Sequence, residues 1–436
     1  MSKQTCIRHI LRILLILGIS GCTVLSAAPP PSAASGAWSP GITLAEAYLL
    51  DAPAVGVTDD GWITVWADGP ALLTRRIASG GTASPTHALN LGTRAPWHPV
   101  LLPAPDDGWH LLWQDLDAFN DVRLYSARLD SEGMLLRGPI TVTPEGISSA
   151  AAAPGDGYAA VVIWANTEPR PTLYGQRIDA QGRPGGGAPT VIARNAEAPA
   201  VARMADGRWV LAWLAWPDFH YAVRTGRVVT VRITDSPLPW EGAAEPVGLQ
   251  VIADPPMTTY IETVTLGLDR HFGYVFISQR DAAAGEPHTD LVSFPLDLEP
   301  SQAALTPLTL PTVTDSEPSI LTGFNTGMAL AIPENESASA QSTAVSWPTP
   351  LWGQFDTLPA AFNVQGNIVI GYFQDGHLIG YQFPAPQAQM LGAPGLWVDR
   401  ERYLSLAWAR WPDREGGPAR LTLSTTHPAM QPAENR

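Results

Sequence analysis

Along most of this chain, apolar residues alternate with other residues at a period of two, in short runs bounded by Gly, Pro, Asn and Asp. That period belongs to strands, and no long stretch carries the i, i+3, i+4 apolar stripe of an amphipathic helix. Eight of the runs are built on an alternating triplet, often just after an Asp-Gly turn and usually ending in an aromatic residue. They are Trp62/Thr64/Trp66, Trp109/Leu111/Trp113, Ala160/Val162/Trp164, Trp209/Leu211/Trp213, Phe272/Tyr274/Phe276, Met328/Leu330/Ile332, Ile368/Ile370/Tyr372 and Leu404/Leu406/Trp408. Their last positions lie 47, 51, 49, 63, 56, 40 and 36 residues apart. Periods of this size belong to β-propeller blades rather than helical solenoids.

The fourth repeat shows the frame most clearly. Glu197-Ala198-Pro199-Ala200-Val201-Ala202 leads through Asp206-Gly207 to 209–213, then to Val229-Thr230-Val231-Arg232-Ile233 and on to 247–252. Four strands separated by turn signals predict one antiparallel meander per blade, with the triplet on the second strand. The third strand recurs as 72–77, 124–130 and 173–179, each with an Arg before an aliphatic residue. From about residue 256 the motif degrades. The fold class expected is therefore all-β, a β-propeller of four-stranded antiparallel blades over 39–428. Eight blades are favoured, one for every triplet, with seven the alternative because the last two spacings are short.

The ends of the chain bear on closure. Ile42-Thr43-Leu44 followed by Ala52-Pro53-Ala54-Val55 matches Thr190-Val191-Ile192 followed by Ala198-Pro199-Ala200-Val201, an outer strand leading into an inner one. The last repeat stops after its third strand, 420–424. An N-terminal strand is expected to complete that blade and leave no free edge.

Composition agrees with many short strands: charged residues are 15%, with 39 Gly, 42 Pro and 16 Trp. Residues 1–21 carry Lys3, Arg8 and Arg12, an apolar run over 13–19 and a small-residue end, which is the organisation of an export signal. The run is too short to span a bilayer. Ile19-Ser20-Gly21-Cys22 resembles the lipobox of bacterial lipoproteins. The resemblance implies that Cys22 becomes the lipidated first residue of an exported protein held at the bacterial cell membrane, facing the periplasm or the exterior. Cys6 lies in the signal, so the mature chain would hold no intramolecular disulfide. Residues 22–38, rich in Ala, Pro and Ser, read as a flexible tether, and 429–436 as a disordered tail. Loss of the signal removes three basic and no acidic residues, giving a net charge of −18. Such a body repels nucleic acid and anionic lipid.

The string from Leu173 through Gly182 is similar to repeats of bacterial surface propellers. The Asp-Gly turns at 60–61, 107–108, 156–157 and 206–207 lack the residue that a sialidase Asp box places between Asp and Gly, so no sialidase activity is implied. Arg76, Arg128, Arg177 and Arg232 occupy equivalent positions in successive blades and are expected to pair with nearby Asp instead of converging on a ligand.

Candidate chemistry lies where the repeats differ, in the connections between second and third strands. Trp216, Phe219, His220 and Tyr221 make the fourth such loop the most aromatic of the chain, and Trp411 sits at the matching place in the last repeat. Flat aromatics there suit stacking on a sugar ring or anchoring a protein; packing between blades is the alternative. Asp115, Asp117 and Asp121, with Asn120, offer oxygen ligands for Ca2+, the single cofactor that the sequence brings forward; a solvated acidic loop is the alternative. Hydrolase elbows, zincin motifs and phosphate loops are absent. Asp218 and Asp413 could form a glycosidase pair but would lie across the ring. The function expected is a monomeric, lipid-anchored envelope module that binds a glycan or protein. The alternative is a carbohydrate-active hydrolase or lyase on the same scaffold, which would gather two or more acidic or His groups on the loop face.

Overall fold

The computed structural model describes residues 38–47, 53–104, 107–155, 158–168, 170–185, 187–215, 219–220, 223–224, 228–235, 238, 248–251, 259–281, 287–297, 304–307, 311–312, 319–320, 326–327, 357–364, 367–382, 384, 390–398, 403–410 and 418–426. Those residues form seven four-stranded antiparallel sheets, the blades of a β-propeller.

Blade 1 is Ala54–Thr58, Gly61–Asp68, Ala71–Ala78 and His87–Leu89, and blade 2 is Trp97–Pro103, Trp109–Leu116, Val122–Leu129 and Leu135–Thr141. Blade 3 is Ile147–Gly155, Tyr158–Asn166, Thr172–Ile178 and Thr190–Arg194. Blade 4 is Ala196–Arg203, Trp209–Ala215, Val228–Thr234 and Gly248–Val251, and blade 5 is Thr259–Leu268, Phe272–Asp281, Pro287–Pro295 and Ala304–Pro307. Blade 6 is Thr326–Gly327, Leu358–Val364, Asn367–Gln374 and His377–Gln382. The seventh sheet runs Met390–Val398, Leu404–Arg410 and Ala419–Thr425, and its fourth strand is Ile42–Ala47, with Ile42 opposite Leu423 and Ala47 opposite Ala419.

First strands of successive blades touch from blade 1 through blade 5, and the first strand of blade 7 touches that of blade 1. Blade 6 meets blade 5 through Leu358–Val364 and Thr326–Gly327, and blade 7 through Leu358–Val364. The described residues thus form seven blades and not eight. Six triplets lie on second strands. Ile368/Ile370/Tyr372 lies instead on the third strand of blade 6, whose second strand carries Leu358, Ala360 and Phe362. Met328/Leu330/Ile332 lies outside the described residues.

The core sits between blades as well as within them, because the second strands are buried on both faces. Trp62, Trp66, Trp113 and Trp164 are all but inaccessible. Trp109 of blade 2 lies against Gly56 of blade 1 and meets Trp397 of blade 7 edge-on at 5.4 Å. A Cβ on Gly56 would stand 2.6 Å from the Trp109 ring, so only glycine leaves room there. Blades 5 and 6 are joined by polar groups: buried Asp269 accepts from the Tyr274 hydroxyl and the Asp375 N–H (2.9 Å), and Gly376 N–H donates to Tyr274 Oη (2.9 Å).

Candidate functional site

In such a sheet the connections from first to second and from third to fourth strand leave at one end, and the remaining connections leave at the other. The disk therefore has two loop faces. On the face bearing second-to-third connections, segments of blades 2 and 3 converge: 117–121, 143–146, 166–168 and 170–172.

The first is a tight turn organised by Asp117. Its Oδ1 accepts the N–H groups of Phe119 (2.8 Å) and Asp121 (3.0 Å), and its own N–H donates to the Asp121 carbonyl (2.9 Å). Asn120 takes the left-handed conformation that closes the turn, with φ 64°. Asp117 Oδ2 receives Arg123 Nε at 2.6 Å, and Arg123 also donates to the Pro144 carbonyl at 2.8 Å, fastening this turn to the next segment. Burial alone would raise the Asp117 carboxyl, but the Asp121 and Phe119 N–H donors and the Arg123 guanidinium outweigh it and hold it below the usual range.

Asp115, 4% exposed, accepts backbone N–H groups of Ala95 (2.8 Å), Leu116 (2.7 Å) and Arg94 (3.1 Å), and so anchors the chain entering blade 2. The oxygens that a calcium ion would need from Asp115 and Asp117 are thus engaged by N–H donors. Among the described residues no group of three or more His, Cys, Asp or Glu could hold a metal ion. The turn leaves Phe119 at its tip, 81% exposed.

Asp121 lies beside Gly146, where an added Cβ would stand 3.7 Å from the Asp121 Cβ and 3.2 Å from Thr167 Oγ1. Thr167 N–H donates to the Gly146 carbonyl at 3.3 Å. At this junction stand Glu145, Asn166 and Glu168. Asn166 is 2% exposed, and its Oδ1 accepts the Thr172 N–H at 2.9 Å. Its Nδ2 is buried and faces the Glu145 carboxyl, favouring the charged form. Burial and then the charge of Glu168 push Glu145 above the usual carboxylate range, opposed by the amide of Asn166.

Two tyrosines floor the area. Tyr125 stacks on Trp113 at 5.7 Å and Tyr174 on Trp164 at 6.0 Å. Burial raises both phenols, reinforced by Asp115 and Asp117 at Tyr125 and by Glu145 and Glu168 at Tyr174.

The structure thus brings Asp117 and Asp121 beside Glu145, Asn166 and Glu168, three residues that strand periodicity did not single out. A signal existed: Glu145 lies two residues before a first strand, so strand counting puts it on the same face as 115–121. In the fourth blade, Phe219–His220 pairs with Val223–Arg224 as a small hairpin between the second and third strands. Trp216, Tyr221, Trp411, Asp218 and Asp413 lie outside the described residues, as do Cys22, the signal and the tether. Of the repeated arginines, Arg76 pairs with Asp60 and reaches Glu132 of blade 2 at 3.0 Å, while Arg232 lies over the Trp213 ring at 5.7 Å.

No family model matches the sequence, and no curated protein matches it. Among solved structures the chain is similar to the polysaccharide lyase Uly1, with a TM-score of 0.52 and 10% identity over 91% of this chain and 95% of the lyase. It also matches an α-L-arabinofuranosidase from Fusarium graminearum (TM-score 0.42, 10% identity, 87% and 97% covered). A further match is a GH43_1 enzyme from Xanthomonas citri complexed with xylose (TM-score 0.36, 15% identity, 62% and 93% covered). The likeness to the lyase shows a shared propeller fold.

Proposed function

We propose that this protein is an exported propeller, lipid-anchored through Cys22, that binds a glycan on the loop face of blades 2 and 3. The observation that carries the reading is the meeting of three connections that set carboxylates and an amide beside an exposed ring, Phe119. Sugars offer hydroxyls that donate to carboxylates and C–H faces that stack on aromatics. The excess of acidic groups favours neutral glycans over anionic ones. The polysaccharide lyase Uly1, whose name marks it as acting on a glycan, shares the propeller; it supports the reading as a fold analogue only.

Binding to a panel of neutral oligosaccharides, measured by calorimetry with the full chain, is expected, and Phe119→Ala should weaken it. An absence of binding across neutral and charged glycans would leave a protein ligand as the better reading. A hydrolase or lyase is the second reading, favoured by one feature: Glu145 is held above the ordinary range next to a second carboxylate, the state that a proton donor needs. Reducing ends released from a bound oligosaccharide would turn the first reading into the second.

Ile19-Ser20-Gly21-Cys22 supports the anchor. Cys22→Ser should move the protein from the membrane to the soluble fraction, and retention on membranes would refute lipidation. The same proposal makes Ile42–Ala47 the strand that closes the ring, a role supported by its pairing with Ala419–Thr425.

A further inference from the structure

We propose that the lipid anchor holds the protein with the face of 117–121 turned away from the membrane, so that a ligand of that face arrives from the far side. The inference rests on the Cys22 anchor proposed above and adds an orientation to it.

It starts from the first described residues. Ser39 N–H donates to the carbonyl of Thr425 (2.8 Å), the last residue of the third strand of blade 7. Ile42 then pairs with Leu423 and Ala47 with Ala419, so Ile42–Ala47 runs away from that end of the blade. Residues 38–39 therefore sit on the face that bears first-to-second and third-to-fourth connections.

Hydrogen bonds carry that face from blade 7 to blade 2. Thr425 Oγ1 meets Ser405 Oγ at 3.1 Å, and Ser405 Oγ accepts from Trp62 Nε1 of blade 1 at 2.7 Å. Ser405 and Trp62 are each the second residue of a second strand. Arg76, late in the third strand of blade 1, pairs with Asp60 and reaches Glu132 of blade 2 at 3.0 Å. Glu132 follows the third strand of blade 2, Val122–Leu129, and Phe119 precedes it. Eight residues of strand set those two ends about 27 Å apart.

From Cys22 to Trp38 the chain advances by 16 residues. A random coil of that length averages about 22 Å end to end, less than the strand. An anchor at Cys22 thus draws the face of 38–39 toward the bilayer and leaves 117–121 on the far side.

The test uses the full lipidated chain in phosphatidylcholine vesicles that carry a lipid-linked acceptor dye. With Cys6 cleaved off in the signal and Cys22 holding the lipid, the mature chain offers no other thiol. Ala118→Cys and Ser131→Cys then each place one donor dye at an exposed residue, directly after Asp117 and Asp130 in turns of the same hydrogen-bond pattern. Both turns bound Val122–Leu129, so the two dyes differ in face and not in blade. Energy transfer to the bilayer is expected to be stronger from 131 than from 118, with derived distances that differ by up to about 27 Å, the length of the strand. Should either label lower the unfolding temperature, Phe119→Cys and Glu132→Cys repeat the comparison. Equal transfer from the two faces, or stronger transfer from 118, overturns the orientation and leaves the anchor standing. A full chain that does not float with the vesicles overturns the anchor and the orientation with it.

Discussion

Asp117, Asp130 and Asp179 perform one task in three connections. Each Oδ1 accepts the N–H of the second and fourth residues after it, and each backbone N–H donates to the carbonyl of the fourth. The third residue after each Asp is left-handed: Asn120 at φ 64°, and Gly133 and Gly182 at 80°. Asn is the residue that best tolerates that conformation after glycine, so Asn120 is there to shape the turn. The turns at Gly133 and Gly182 also lean on the preceding blade, where Ser126 Oγ donates to the Gly182 carbonyl. Asp130→Ala strips two N–H groups of their acceptor and should lower the unfolding free energy by about 1–2 kcal/mol in urea titrations. Asp130→Asn keeps an oxygen in place and should cost less; equal losses in both would point away from the acceptor as the cause.

At the scale of the strand, the repeating triplet predicted six second strands because an apolar alternation ending in an aromatic is what a doubly covered strand requires. The same requirement explains the misplacement in blade 6. In blade 6 the second strand over 358–362 and the third over 368–373 are both buried on two faces, so Ile368/Ile370/Tyr372 and Leu358/Ala360/Phe362 carry equivalent patterns, and periodicity cannot rank them from the axis outward. With Phe362 as the end of the second strand, the step to Trp408 becomes 46 residues, in line with the regular early blades. Inter-blade fit was not legible: Gly56 reads as a weak strand residue until Trp109 is seen lying on it. The site was legible in half. Spacing alone grouped Asp115, Asp117 and Asp121, but whether their oxygens were free depended on the N–H groups of Ala95 and Phe119, which no pattern of side chains reveals. Glu145 and Asn166 belong to connections on either side of a long two-stranded hairpin, and only the pairing of Ile147 with Asn166 brings them together.

For the whole molecule, the contacts between blades 1 and 7 bear on how the sheets hold together. Trp62 Nε1 of blade 1 donates to Ser405 Oγ of blade 7 at 2.7 Å, and Arg75 of blade 1 donates to the Leu44 carbonyl of the strand paired with Ala419–Thr425. Ser39 continues that attachment, its N–H donating to the Thr425 carbonyl (2.8 Å) and its Oγ accepting the Thr425 N–H (3.0 Å). Buried Leu44 belongs to the same apolar cluster as Trp62, Leu421 and Leu423. Removing residues 1–47 would therefore free one edge of Ala419–Thr425, uncover Leu421 and Leu423, and cut the Arg75 contact, all at the junction where the chain's two ends meet. An uncovered apolar edge invites pairing with another copy. The expected outcome is a lower unfolding temperature and concentration-dependent association, read by calorimetry and by light scattering. A shortened chain that melts at the original temperature as a monomer would show that blade 7 is complete without its N-terminal strand.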